Sequence, residues 1–462
     1  MDSSNNKPLI SLYLVNYNYG KYIEESIRSV LNQSYQNFEL IIIDDGSEDN
    51  SYEIIQQYKS NSKVLTIFQK NKGLVRTNNV ALSVARGKYI MRLDADDYLD
   101  PKALEKMCEK LEQETDAVLV FPDYFIIDEH GEIVHQYQRF DFKSEELLLE
   151  KPAHGAVTMI RTDFLRSVGG YDEDFSCQDG YDLWLKVFKN HKVLNISEPL
   201  FYYRQHGSNL TKNQRHLYHT RAEMMSKYVD QNEIEELQVC AIIPVRGSAV
   251  DPRSKPFLKV GEKTLIEWTI DEALSAPQIK NVLVTTPDDS LINFLQERYQ
   301  DKILYHKREV SKAKINSDIM STLKDANEYL MQLNKNFDAL MLLYIEYPFR
   351  CQRYIEKAIN HMRIYEVDAV ESVIEDNSIF YKHDGKGLKP LNPDSYLRLE
   401  RDDIFKRSGG IHLLKPSIVS KSKSSLDLKT GHIVIDEEAS FQVRTQLDIK
   451  LANFLAAERE KQ

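Results

Sequence analysis

Short apolar runs alternate with amphipathic stretches from Leu9 to about Phe121, and this alternation limits the folds that the chain can adopt. Runs rich in β-branched residues predict strands, and the helical spacing of apolar residues between them predicts helices. Strand–helix–strand units connect in a right-handed sense and build a mainly parallel sheet. The predicted strands are Ile10–Val15, Leu40–Asp44, Val64–Phe68 and Tyr89–Leu93, and the predicted helices are Tyr22–Leu31, Ser51–Lys59 and Val75–Ala85.

The strand–helix pattern begins again after a polar, helix-compatible segment at Thr211–Leu237. Val239–Pro244 is typical of a buried strand, a helix is predicted near Leu265–Leu274, and a strand at Val282–Thr285. A length of 462 residues suits two domains better than one. We therefore predict two Rossmann-like α/β domains, residues 1–236 and 237–462, with the boundary near Glu236.

Charge and hydropathy exclude several classes of partner. The net charge is -11, and no run of Lys and Arg is long enough to follow a phosphate backbone, so nucleic acid is not an expected partner. The N-terminus lacks the pattern of a signal peptide, and no apolar run reaches the roughly 20 residues of a transmembrane helix. The cysteines show neither a disulfide framework nor zinc-ligand spacing. These features predict a cytoplasmic protein, either free or peripheral to the inner face of the membrane.

Polar side chains follow three of the predicted strands in the N-terminal half, at Asn16–Asn18, Asp44–Ser47 and Asp94–Asp97. Ligands of parallel sheets bind at the carboxyl ends of the strands. The Asp94-Ala95-Asp96 triplet spaces two carboxylates so that one can bind Mn²⁺ or Mg²⁺ directly. By itself, such a triplet is also typical of a solvated acidic turn that caps the next helix.

Taken together, these motifs resemble the family 2 glycosyltransferases of the GT-A fold over roughly residues 8–210. The resemblance implies an inverting transfer of sugar from a nucleotide-diphosphate sugar to a hydroxyl acceptor, either a glycan or a lipid-linked one, in bacterial surface polysaccharide or glycoconjugate synthesis. It also implies that Asp94 handles metal and diphosphate, with Asp96 as the more direct metal ligand. The other donor-binding residues that the resemblance implies are Asn16, Tyr17, Asn18, Asp44, Asp45, Asn71, Gly73 and Asn79.

Two positions depart from the pattern of that family. Val15 stands where the family usually has Pro. Asn78 stands where an Arg commonly precedes the residue matching Asn79, and the nearest arginine is Arg76. A cationic contact to the donor would therefore come from a different direction.

The segment Cys177–Leu185 resembles the family's acidic pair before a helix that begins Asp-Leu-Trp. One-step inversion requires a base for the proton of the acceptor hydroxyl. Asp179 is the candidate base, and the alternative is that it only caps the helix. Asp182 is expected to cap or support the site, and the residues expected on the acceptor side are His154, Gly155, Asp182 and Trp184.

The segment Tyr203–His206 resembles the closing Tyr-Arg-X-His motif of the same family. The resemblance implies that Arg204 neutralises phosphate charge. It also implies that His206 completes the metal shell or contacts the diphosphate, and the alternative is a purely structural histidine.

The C-terminal half resembles the CMP-sugar synthetases that activate sialic acids and related acids, over about residues 238–458. The resemblance implies a nucleotide site at Arg246, Gly247 and Lys255. Val250 stands where that family has a basic residue, Tyr344–Tyr347 replaces a Gln-Pro-Thr-Ser run, and Gln442 and Arg444 replace two metal-binding aspartates.

These replacements predict a domain that has kept the fold while losing or changing the reaction. The stretch Ser378–Arg407 resembles the arm through which members of that family dimerise, so a homodimer formed by the C-terminal half is expected. Two alternatives stay open, a bifunctional glycosyltransferase and CMP-nonulosonic acid synthetase, and a nucleotide-binding scaffold in which neither half catalyses.

Overall fold

The chain divides into two compact units, Met1–Asn213 (unit 1) and Gln214–Gln462 (unit 2). The computed structural model describes residues 9–137, 155–187, 189–206, 213–248, 250–313, 318–376, 378, 380–383, 385–390, 404–420, 428–459 and 461. His154 and residues 391–403 of the expected dimer arm lie outside these ranges.

Unit 1 is built on a mixed sheet with the order β3-β2-β1-β4-β8-β6-β9-β5, and β7 pairs with β6. The pairs β1–β2, β1–β4 and β2–β3 are parallel, as the alternation of strands and helices predicted. The strands are β1 (Ile10–Asn16), β2 (Phe38–Asp44), β3 (Val64–Phe68), β4 (Tyr89–Asp94), β5 (Tyr98–Leu99), β6 (Ala117–Ile127), β7 (Ile133–Tyr137), β8 (Met159–Arg161) and β9 (Lys192–Arg204). The helices are α1 (Ile23–Leu31), α2 (Ser51–Gln56), α3 (Leu74–Val84), α4 (Ala103–Gln113), α5 (Thr162–Ser167) and α6 (Asp179–Val187).

Both faces of the unit 1 sheet are covered, which explains why its central strands are continuously apolar. All residues of β1 and β2 are buried. Side chains alternate across the sheet, so Leu12 and Leu14 pack in one core while Tyr13 and Val15 pack in the other. Gly87 permits the close approach of the chain before β4, because a Cβ there would lie 2.5 Å from the backbone nitrogen of Ser11.

Unit 2 contains a second sheet with the order β14-β13-β10-β15-β19-β16-β20. The pairs β10–β13 and β10–β15 are parallel, whereas β19 runs antiparallel to β15 and β16. The strands are β10 (Val239–Pro244), β11 (Lys259–Val260), β12 (Lys263–Thr264), β13 (Ile279–Thr286), β14 (Leu304–Lys307), β15 (Ala339–Leu343), β16 (Ala369–Glu375), β17 (Tyr381–His383), β18 (Leu388–Pro390), β19 (Phe405–Leu414) and β20 (Thr430–Val434). The helices are α7 (Gln214–Gln231), α8 (Leu265–Ser275), α9 (Asp289–Tyr299), α10 (Ile319–Gln332), α11 (Gln352–Tyr365), α12 (Pro416–Ser420) and α13 (Gln446–Arg459).

The division between the units falls between Asn213 and Gln214, earlier than the boundary near Glu236 that the sequence suggested. The difference is the helix α7, which makes polar contacts with α11 of unit 2. Glu223 forms an ion pair of 3.0 Å with Arg353, and the Nδ2 of Asn360 donates to the Oγ of Ser226 at 2.9 Å. The sequence of a polar helix without Gly or Pro does not indicate which of two adjacent domains it packs against, because tertiary contacts determine that.

Candidate active site

The carboxyl ends of three neighbouring strands of unit 1 meet at one edge of the sheet. Asn16 at the end of β1 pairs in register with Asp44 at the end of β2, and Val15 pairs with Asp94 at the end of β4. The polar residues that the sequence placed at strand ends are therefore neighbours in space. This edge is where parallel sheets bind their ligands.

Asn16 and Asp44 are joined by Ser47 into one hydrogen-bonded group. The Nδ2 of Asn16 donates to Asp44 Oδ1 at 2.7 Å and to Ser47 Oγ at 3.0 Å. Ser47 Oγ also accepts from the backbone nitrogen of Asn18 at 2.9 Å, which fixes the loop after β1. Tyr17, which follows Asn16 in the chain, is 46% exposed. Ser47, which the sequence motif contained without a role, connects the two loops.

Asp45 orders the loop that precedes α3. Its Oδ1 accepts from the backbone nitrogen of Lys72 at 2.9 Å, and its Oδ2 accepts from that of Gly73 at 2.9 Å. The side chain of Gln69 donates to the same carboxylate at 2.7 Å. Asp45 is therefore engaged with the loop that carries Asn71 and Gly73.

The acidic segment Asp94–Asp97 begins at the end of β4 and brings three negative charges together, with Asp94 half-buried and Asp96 and Asp97 buried. Burial raises the pKa of Asp94 to about 6, Arg92 opposes this shift and Asp96 adds to it. Burial also raises the pKa of Asp97 well above its ordinary value, and the charge of Asp96 adds to the shift. Within the described ranges, Asp97 Oδ2 has no hydrogen-bond partner. Buried carboxylates at this density are unfavourable without a compensating cation.

His206 and Arg204 close this side of the site. The Nε2 of His206 lies 2.9 Å from Asp96 Oδ2, and its ring is stacked on Tyr22 with a centroid distance of 5.5 Å. The Nε of Arg204 donates to the backbone oxygen of Asp96 at 2.9 Å, and its Nη2 donates to Glu25 at 2.6 Å. His206 thus faces the acidic segment directly, whereas the guanidinium of Arg204 holds the backbone of that segment.

The metal ion that the resemblance implies stays a prediction. Among the residues that the structure describes, no group of three or more His, Cys, Asp or Glu side chains is arranged to hold a metal ion. The chemistry of one pair nevertheless suits a divalent cation, because the Asp96 carboxylate and the His206 ring lie 2.9 Å apart and both are ligand types for Mn²⁺.

Asp179 begins α6 and is 6% exposed. Its Oδ2 forms an ion pair with the Nη1 of Arg92 and accepts from the Nδ2 of Asn78 at 3.2 Å. Gly155 lies against this pair, since a Cβ at Gly155 would be 2.9 Å from Asp179 Oδ2. Asp179 and Gly155, predicted on the base and acceptor side, are therefore adjacent.

Arg92 and Asn78 are contact residues that the motifs did not reveal. The Nε of Arg92 lies 2.9 Å from Asp94 Oδ1, so the same guanidinium contacts Asp94 and Asp179. The signal that could have found Arg92 is a charged residue inside an apolar strand, which requires a buried partner. Asn78 could be found only by recognising that it replaces an arginine.

Left-handed backbone occurs in the loops around the site. Asn18 has φ of 60°, Val157 has φ of 52° and Gln178, directly before Asp179, has φ of 65°. Such a conformation is unfavourable for a β-branched residue, and strained residues cost on the order of 1–3 kcal/mol each. The surrounding contacts hold them, since Val157 donates its N–H to the backbone oxygen of Arg92 at 2.7 Å.

Three further predicted residues make contacts within the scaffold around α6. The amide of Asn79 donates to Tyr171 O at 2.8 Å and accepts from Tyr171 N at 2.9 Å. Asp182 forms an ion pair of 2.7 Å with Lys186, and burial raises its pKa against the effect of that lysine. Trp184 is 5% exposed and packs in the core between the sheet and α6. Their expected roles in donor or acceptor binding stay predictions.

In unit 2, the expected nucleotide residues follow β10. Arg246 forms an ion pair of 3.2 Å with Asp251, Gly247 has φ of 75°, and Lys255 is exposed. Arg308 lies near Arg246 and was not foreseen; burial lowers its pKa to about 10 and the charge of Arg246 adds to this shift.

Known proteins resemble each unit separately. The model of the family described as Glycosyl transferase family 2 matches residues 11–168. An uncharacterized glycosyltransferase of Methanocaldococcus jannaschii is 34% identical over 207 residues, which cover 43% of this chain and 71% of that protein. The chain belongs to glycosyl transferase family 2. It is therefore a glycosyltransferase, and the mixed sheet of unit 1, with its parallel strands β3-β2-β1-β4, agrees with the α/β class that the sequence predicted.

A curated synthase and a solved structure are also similar to part of this chain. A chondroitin synthase of Escherichia coli is 31% identical over 203 residues, covering 44% of this glycosyltransferase but only 30% of the synthase. The structure of S. aureus TarS in complex with UDP-GlcNAc shares 19% identity, covers 48% of this chain and 66% of that chain, and has a TM-score of 0.41.

The model of the family described as Cytidylyltransferase matches residues 240–411, which confirms the resemblance seen in the C-terminal half. No helix among the described residues is long and apolar enough to cross a membrane.

Proposed function

We propose that unit 1 of this glycosyltransferase transfers a sugar, with inversion, from a nucleotide-diphosphate sugar to a hydroxyl acceptor. The observation that carries the proposal is the position of Asp179, which shares the Arg92 guanidinium with Asp94 at the end of β4. A candidate base and the acidic segment of a donor site are thereby brought to one place, as an in-line displacement requires.

The nucleoside would lie against the group formed by Asn16, Asp44 and Ser47, with the exposed ring of Tyr17 beside it. The carboxylate of Asp44 can accept from a base or a ribose hydroxyl, and Asn18 holds the loop. Asp45 supports this region indirectly, because it orders the loop of Asn71 and Gly73.

A Mn²⁺ or Mg²⁺ ion would be held by Asp96 and His206, with Asp94 and Asp97 close by. Such an ion supplies charge neutralisation for the departing nucleoside diphosphate. Arg204 keeps the acidic segment in place through the backbone oxygen of Asp96.

Asp179 would act as the general base. As the acceptor oxygen forms its bond to the anomeric carbon, the proton of the acceptor hydroxyl passes to the Asp179 carboxylate, and the bond between that carbon and the diphosphate oxygen breaks. Inversion follows because attack and departure occur on opposite sides of the carbon. Gly155 leaves no side chain between the base and the acceptor.

The relative named chondroitin synthase supports a role in the assembly of a polysaccharide. The acceptor would then be a growing glycan or a lipid-linked sugar at the cytoplasmic face of the membrane. Unit 2 would contribute association into a homodimer rather than a second reaction.

The variant Asp179→Asn tests the base. It keeps size and hydrogen bonding but cannot accept the proton, so kcat should fall by roughly 10²–10⁴ while the donor KM barely changes. Release of nucleoside diphosphate from a panel of UDP-, GDP- and dTDP-sugars measures this in the full chain.

Asp182→Asn is the matched control, since it changes a buried carboxylate three residues along the same helix. Its carboxylate is bound to Lys186, so kcat should stay within a few-fold of the unchanged enzyme. Loss of kcat in Asp182→Asn but not in Asp179→Asn would assign the base to Asp182 instead.

A further inference from the structure

Arg92 is a charged residue in the middle of a buried strand of unit 1. It lies in β4 between Met91 and Leu93, and it is 5% exposed. Removing a guanidinium from water is unfavourable unless carboxylates compensate it. Asp179 and Asp94 do so, and their charges raise the pKa of Arg92 although burial lowers it.

The two carboxylates contact different nitrogens of the Arg92 guanidinium. Asp179 pairs with Nη1, and Asp94 lies 2.9 Å from Nε. Asp94 follows Arg92 at the end of the same strand, whereas Asp179 comes from α6, remote in sequence. The guanidinium is therefore a direct physical link between the acidic segment and the start of α6.

The Asp179 side of this link is closely packed. Asn78 of α3 donates to the same oxygen of Asp179, and a Cβ at Gly155 would lie 3.1 Å from Arg92 Nη2. Asp179 accepts a hydrogen bond from Nη1, whereas the contact of Nε with Asp94 is an ion pair without a hydrogen bond among the described residues. The planar guanidinium between the two carboxylates therefore limits how far they can separate. A lysine keeps the charge but offers a single nitrogen, which cannot reproduce both contacts.

We propose that Arg92 is a positioning residue that holds Asp179 at a fixed place relative to the donor-binding acidic segment. This inference rests on the proposed role of Asp179 as the base. Arg92 itself does not touch the substrates; it acts by keeping the base at the distance from the anomeric carbon that the displacement needs. A misplacement of about 1 Å is enough to lower a rate by roughly 10²-fold.

The test is a double-mutant cycle in the full chain with Arg92→Lys and Asp179→Asn. The assay is nucleoside diphosphate release from the UDP-, GDP- or dTDP-sugar that the unchanged enzyme uses fastest. Arg92→Lys alone should lower kcat by roughly 10- to 100-fold and change the donor KM by less than about three-fold. In the Asp179→Asn background, the same change should lower kcat by less than about three-fold, because the base is already absent.

Arg161→Lys is the control for the general effect of shortening an arginine in unit 1. Arg161 donates to the backbone oxygens of Ala117 and Leu111, both at 2.7 Å. The Arg161→Lys variant should therefore have a lower thermal midpoint and an unchanged kcat. If Arg92→Lys does not fold, the double variant Arg92→Gln/Asp179→Asn replaces it, because this variant removes both charges of the ion pair. Its kcat should be similar to that of Asp179→Asn alone.

The outcomes separate this inference from the function on which it rests. Equal losses from Arg92→Lys with and without Asp179 would overturn the positioning role and leave Asp179 as the base. A rise in donor KM at unchanged kcat would do the same, because it would place Arg92 in donor binding. An unchanged kcat in Asp179→Asn would instead overturn the proposed base, and the positioning role with it.

Discussion

The carboxylates Asp44, Asp45, Asp94, Asp96 and Asp179 of the candidate active site differ in the groups that compensate their charge. Asp44 is bound by Asn16 and Ser47, and Asp45 by backbone N–H groups. Asp94 and Asp179 share Arg92. Asp96 differs, because its closest charged or chargeable contact is His206. Of these carboxylates, Asp96 is therefore the one that most requires a further cation.

Replacing Asp96 should remove metal-dependent activity. Transfer is expected to require Mn²⁺ or Mg²⁺, and Asp96→Ala should nearly abolish it, because the ligand facing His206 is lost. A metal that binds the folded state also stabilises it, so Mn²⁺ should raise the thermal midpoint of the unchanged protein and not that of the variant.

The control for this variant is Asp163→Ala, which removes a fully exposed carboxylate of the same unit. It should leave both the activity and the thermal effect of Mn²⁺ intact. Full transfer in excess EDTA would refute the metal assignment for this glycosyltransferase.

Residues at strand ends could be predicted from the sequence, because the parallel sheet brings the ends of its strands together. Asn16, Asp44 and Asp94 are neighbours for that reason. The contacts of Arg92 with Asp179 could not be predicted, since they depend on how α6 packs against the sheet. A motif indicates which residues are near the ligand and leaves open which of them bind one another.

At the scale of elements, periodicity predicted the strands more reliably than it assigned helices to a domain. The structure confirms strands at Val64–Phe68 and Val239–Pro244 with the predicted bounds. It also confirms a helix within Thr211–Leu237, but α7 belongs to unit 2. Sequence pattern reports which face of a helix is apolar, and it does not report which neighbour covers that face.

An isolated unit 2 should fold only if the fragment includes the helix α7. The helix buries Met225 and Val229, and it holds α11 through Glu223 and Ser226. Losing the burial of two or three such side chains removes roughly 5 kcal/mol, comparable with the whole stability of many domains.

A fragment of residues 214–462 should therefore unfold cooperatively, and a fragment of residues 237–462 should be unstable or insoluble. Thermal unfolding followed by circular dichroism compares the two. Equal midpoints would show that α7 adds nothing to unit 2, and the boundary near Glu236 would then stand.

At the scale of the whole molecule, the units differ in how completely they keep the residues of their families' reactions. Unit 1 has an acidic segment at a strand end, a candidate base and the residues proposed to contact the nucleoside, Asn16 and Asp44. Unit 2 matches the Cytidylyltransferase family over residues 240–411, and the resemblance of the sequence predicts that Gln442 and Arg444 replace two aspartates and that Val250 replaces a basic residue. The nearby Asp448 carboxylate accepts from the backbone of Arg444 and Thr445.

Unit 2 should consequently associate rather than catalyse. Residues 214–462 should self-associate and release no pyrophosphate from CTP with any nonulosonic acid, because Gln442 and Arg444 occupy the positions at which the resemblance predicts the carboxylates that hold the metal. Light scattering and a pyrophosphate assay measure the two properties on one sample.

Deleting unit 2 should change the oligomeric state more than it changes sugar transfer by residues 1–213.

Arg246→Ala distinguishes the remaining alternative, because Arg246 lies beside Arg308 at the end of β10, where a triphosphate would be neutralised. Pyrophosphate release that is present in the unchanged protein and lost in Arg246→Ala would identify a bifunctional enzyme. If no pyrophosphate is released, the role of Arg246 and Arg308 is in the packing of unit 2, where Arg246 already forms an ion pair with Asp251.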